Sequence, residues 1–134
     1  MTDLVITRCR PVETYVQHTG PAGEALALGQ YARPNATSGK FEKGNATTAG
    51  EAAKGGIVIT QAYAAQPVTI VQHGLVDVGD ALAGLDFNDP VYISDTDGTF
   101  TDDPADATVD VIIGRVFPGF AHTTADKLLL IDVR

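Results

Sequence analysis

From residue 57 onward the chain runs in short apolar bursts, not in long amphipathic stretches. Ile57 to Ala62, Pro67 to Gln72, Gly74 to Val78, Val109 to Phe117 and Lys127 to Val133 are each rich in β-branched residues and are closed by Gly, Pro or Asp. That is the pattern of strands laying one face on a core. Upstream, EALALGQYA from Glu24 predicts a small-residue strand over Ala25 to Tyr31, ended by Pro34-Asn35, and residues 35–46 read as an exposed loop or weak hairpin. One short helix is expected over 48–54. There Thr48-Ala49-Gly50-Glu51 fits the reciprocal capping pattern, and Gly55 is placed to stop it. The fold class expected is therefore mainly β, a small, tulip-like β-sandwich or β-barrel.

The first twenty residues follow a different rule. Leu4, Ile6, Val12, Tyr15 and Val16 mark an extended segment interrupted at Pro11, with Arg8 and Arg10 upon it and no turn signal to fold it into a hairpin of its own. Two readings stand side by side. In one, residues 1–20 are an arm that adds as a strand to a neighbouring chain while 21–134 form the β-domain; in the other, the segment is the first strand of the chain's own sheet.

Asp95-Thr96-Asp97-Gly98 raises the question of a metal loop. With Gly98 at the sixth position of a calcium loop, the first and twelfth positions fall on Ile93 and Pro104, which offer no side-chain oxygen. Flanked by the β-formers Val91 to Ile93 and Thr99 to Thr101, the Asp-Gly pair predicts a hairpin turn instead.

Length and charge narrow the classes further. A chain of 134 residues is expected to be one domain. Its formal charge is −8, unevenly spread: residues 1–67 hold six Lys/Arg against five Asp/Glu, and residues 68–134 hold three against twelve. Nucleic-acid binding rests on cations that neutralise phosphates, so no nucleic-acid partner is expected. The start MTDLVITRCR carries no secretory pattern, and the apolar run Leu128 to Ile131 is far too short to span a bilayer. Synthesis in the cytoplasm without a membrane partner is expected.

Candidate chemistry is sparse. The single Cys9 has no partner for a disulfide and fits a small packed side chain. His18, His73 and His122 lack the spacing of a metal motif, the nucleophile-elbow and phosphate-loop patterns do not occur, and Asp102-Asp103 sit in a polar loop beside Pro104. No catalysis, cofactor or metal is expected.

The order of EALALGQYA, ATTAGEAAKGGIVI, HGLVDVGD, DPVYISDTDGTFT, VIIGRVF and KLLLIDV resembles the capsid decoration (cement) proteins of tailed bacteriophages, from about Gly23 to Val133. The resemblance implies a small β-domain, usually a homotrimer, on the outer capsid surface of the virion. It would bind the major capsid protein where shell subunits meet and brace the head against packaged DNA. On that reading Leu4, Ile6 and Val12 fill pockets on the partner, and Arg8 and Arg10 pair with its carboxylates. The alternative is a receptor- or carbohydrate-binding β-module of a phage fibre.

Overall fold

The longest central strand organises the molecule. The computed structural model describes residues 3–121 and 123–133. The strands are β1 (Arg10–Pro21), β2 (Tyr31–Pro34), β3 (Phe41–Lys43), β4 (Gly56–Val58), β5 (Pro67–Asp77), β6 (Pro90–Ile93), β7 (Phe100–Thr101), β8 (Ile112–Pro118) and β9 (Lys127–Asp132). All strand pairs are antiparallel, in the order β3-β2-β4-β5-β9-β8-β6-β7, and β1 lies along β5. The chain is mainly β, and its sheet curls into a half-barrel. None of its helices is long and apolar enough to cross a membrane among the described residues.

Both edges of β5 are occupied. β1 pairs with it from Pro67 to Asp77, while β4 at Ile70 and Val71 and β9 at His73 to Val76 share the opposite edge end to end. The pattern had suggested two strands broken near His73; they are one. Gly74 is needed there because the β1 backbone crosses closely: a Cβ would stand 2.3 Å from the Glu13 carbonyl oxygen.

Two other expectations are corrected and a third is narrowed. Ala25 to Tyr31 is not a strand, since β2 begins at Tyr31 and the preceding segment is irregular, bridging only at Leu26 to Ala62. The physical reason is burial: Ala22, Leu26 and Ala62 fold back over Ala32, Phe41, Val58 and Ile70, forming a second small core on the outer face of the sheet. Of the two readings of 35–46, loop or weak hairpin, the hairpin is formed: residues 35–40 turn β2 into β3, which Phe41, buried in that core, anchors. Residues 48–54 make a single turn, not a helix. Thr48 Oγ1 accepts the Glu51 N–H and the Thr48 carbonyl accepts the Ala52 N–H. Glu51 then turns to Arg33 (2.5 Å), while the Tyr31 hydroxyl donates to the Ala53 carbonyl and accepts the Gly55 N–H. Those tertiary partners take the groups that the next helical turn would have used, and a second turn has too few bonds to form alone.

The main core fills the concave side, built on Tyr31, Ile57, Val71, Val76, Ile113 and Leu129. The expected Asp95–Gly98 turn is formed. The Ser94 N–H donates to the Thr99 carbonyl, and Gly98 has φ +69°. The same turn joins the two ends of the curled sheet, because Tyr31 N–H donates to Gly98 O (3.1 Å) and Gly98 N–H to Gly44 O (2.7 Å).

Candidate interaction surface

A sheet with open ends invites uncontrolled pairing, so the fate of each edge locates the surface available to a partner. The outer edge of β3 is covered by its own chain. Ala22 bridges Phe41, Gly23 N–H donates to the Phe41 carbonyl, and the Glu24 carboxylate accepts the Lys43 N–H. β7 is covered too: Asp3 bridges Thr101, Leu4 N–H donates to the Phe100 carbonyl (2.8 Å), and Ser94 Oγ donates to the Asp3 carboxylate (2.6 Å). The outer edge of β1 has no backbone partner among the described residues.

The N-terminal residues singled out from the sequence separate into three groups. Leu4 and Ile6 are partly buried against the chain's own main core, with Cys9 buried beside them. Ile6 lies in a notch that only glycine permits: Gly29 has φ +82°, and a Cβ on it would stand 2.5 Å from Ile6 Cγ2. Arg8 and Arg10 both reach Asp77 of the same chain, at 3.0 and 3.5 Å, and remain half-exposed or more. Val12 is exposed. Residues 3–9 therefore act in this chain as a strap across the half-barrel, and residues 10–21 as a strand of its own sheet.

Asp77 is the clasp at the junction. Desolvation works to raise its pKa, but the Gly79 N–H and the Arg8 and Arg10 guanidiniums outweigh that and hold the carboxyl below its ordinary range. Burial pushes the Cys9 thiol up to about 12, against a hydrogen bond from the Gly29 backbone. A thiol held so far from ionisation is packing material.

β1 is irregular where it is most apolar. Val12 and Tyr15 fall at register shifts against β5, each an extra residue in β1, and both side chains are turned to solvent. Bulges of this kind bend the strand and re-aim a side chain. Tyr15 leans on the His73 ring, 5.1 Å between centroids, and its hydroxyl donates to Glu13. Val12, expected to fill a pocket on a partner, is placed on the surface by the bulge. From Gln17 to Pro21 the ladder is regular. Sequence reading missed Ile112 and Phe117 as exposed residues, since both belong to the Val109–Phe117 run that looks like core, and it did not single out Phe120, exposed just beyond that run.

The carboxylates of the 95–97 turn are engaged locally: Asp95 accepts from Thr108, and Asp97 from Asn45 Nδ2. Among the described residues no group of three or more His, Cys, Asp or Glu is placed to hold a metal ion. No protein-family model matches the chain, and no curated protein or solved structure shows significant similarity to it.

Proposed function

We propose that the protein is a capsid decoration protein, which sits as a homotrimer on the outside of a tailed-phage head, binds the major capsid protein at subunit junctions and stabilises the shell. The observation that carries the reading is the selective openness of β1. The chain spends its own segments on covering β3 and β7 and, among the described residues, leaves uncovered the outer edge of one strand that is exposed on nearly every residue. Strand addition supplies main-chain hydrogen bonds without a deep pocket, which suits a protein that clamps rather than transforms its partner. The bulges at Val12 and Tyr15 confine regular pairing to Gln17–Gly20, so the edge is selective. Because an exposed ion pair contributes under ~1 kcal/mol, apolar contact and repetition around a symmetric trimer would supply most of the affinity.

Co-sedimentation with expanded and unexpanded heads tests the proposal. The expected result is pelleting with expanded heads, accompanied by slowed amide exchange over Gln17–Gly20. Failure to pellet with either form of head overturns it.

A further inference from the structure

The outer face of the half-barrel is clothed on one side only. Over β2, β4 and the start of β5, the segments carrying Leu26 and Ala62 build the second core. Over the end of β5, β9 and β8 the cover is thinner: Leu75 and Leu128 are buried, but Leu130 is partly exposed and Ile112 and Phe117 are exposed. In the observed register Leu75 pairs with Leu130 and Leu130 with Arg115, while Phe117 pairs with Leu128, so these side chains share the face opposite the main core. Ile112 and Leu130 line one shallow cavity there, and Val12, Phe120 and Leu128 another of about 380 Å³. Of the nine exposed large apolar residues described, five border this face: Val12 (40% exposed), Tyr15 (59%), Ile112 (46%), Phe117 (39%) and Phe120 (64%). Scattered exposed apolar residues need no explanation, but a gathering on one thinly covered sheet face marks an interaction site.

Charge decides the occupant. The face and its two cavities carry Arg8, Arg10, Arg115 and Lys127 against Glu13, Asp77, Asp80, Asp126 and Asp132, four of the chain's nine basic residues and five of its seventeen acidic ones. Its net charge is therefore −1, and −7 of the chain's −8 lies elsewhere. Two copies of so acidic a molecule repel each other on most approaches. On this face the repulsion is least, and apolar area there is removed from water with little opposition of like charge to like.

We infer that the outer face of β5–β9–β8, centred on Leu130, Ile112 and Phe117, is the surface on which a second copy of this chain packs. The inference rests on the self-association proposed above and names its surface. It needs no capsid, and its failure is separable from that of the decoration reading: a protein that pellets with heads but stays monomeric in solution loses this interface alone.

Sedimentation equilibrium over a wide concentration range should show multiples of the 14.0 kDa chain. The pair Ile112→Lys with Phe117→Lys should weaken association at least about tenfold, while Leu28→Lys with Tyr63→Lys, equally exposed but elsewhere, should leave it unchanged. Hydroxyl-radical footprinting of the unmodified protein supplies the second readout, with Tyr15, Phe117 and Phe120 protected as concentration rises and Tyr63 not. A monomer at every concentration overturns the inference, as does a control pair that dissociates the assembly as well as the face pair does. If the face pair fails to fold, the footprint decides alone, and protection at Tyr63 without protection at Phe117 counts against the inference.

Discussion

Replacing Gly29 by alanine tests whether residues 3–9 lie across their own barrel in solution. Two costs are expected. An L-residue in the left-handed region at φ +82° is strained by about 1–2 kcal/mol. Separately, the new Cβ would meet Ile6 Cγ2 at 2.5 Å and Ile6 Cβ at 3.2 Å. Ile6 is β-branched and stiff at χ1, so it has no easy way aside, and overpacking of this kind costs about 1–3 kcal/mol. The second cost exists only while the strap is docked. A double-mutant cycle with Ile6→Ala therefore separates them: in that background Gly29→Ala should retain the backbone strain alone. Urea unfolding of the four proteins should give a coupling of about 1–2 kcal/mol, within the range seen for touching residues. Additivity within about 0.5 kcal/mol would show that Ile6 does not sit against Gly29, and the N-terminal segment would then be a free arm.

Three further outcomes follow from the same geometry. Tyr31→Phe keeps the ring, which packs edge-on to Phe100 at 5.9 Å, but leaves the Ala53 carbonyl and the buried Gly55 N–H without their partner. Stability should fall by about 2–3 kcal/mol, lowering Tm by roughly 7–11 °C in a scanning experiment. Because the Asp77 pKa is depressed in the folded chain, its contribution is present above the unfolded carboxylate pKa and is lost as pH falls through the folded value. Asp77→Asn should therefore flatten the acid limb of the stability profile measured by chemical denaturation. Cys9, buried with its pKa raised to about 12, should resist thiol reagents at mildly alkaline pH and react on unfolding, and rapid labelling of the native protein would contradict its burial at the end of the docked strap.

Much of the fold was already legible in the linear pattern. β-branched bursts closed by Gly, Pro and Asp locate β4 to β9, because strand preference and turn chemistry are local properties that each segment carries with it. The Asp95–Gly98 turn was legible for the same reason: Gly98 supplies the positive φ and the flanks supply the strands. Charge asymmetry was legible as well, being a matter of counting.

What the tertiary structure alone decided is where each segment finds its partner. Nothing local tells that Phe41 would be buried and draw β3 out of a polar loop, or that Tyr31 would take the backbone groups of Ala53 and Gly55 and stop a helix after one turn. The strap gives the sharpest case. Leu4 and Ile6 alternate as a strand for any sheet edge would, and only the notch at Gly29 and the Phe100 edge assign them to their own barrel. The bulges at Val12 and Tyr15 arise from two strands of unequal count laid side by side, so the side chains they turn outward are set by pairing. Local sequence specifies the kind of element through backbone propensity; partnership, register and exposure come from long-range packing, in which each residue is judged against neighbours far away in the chain.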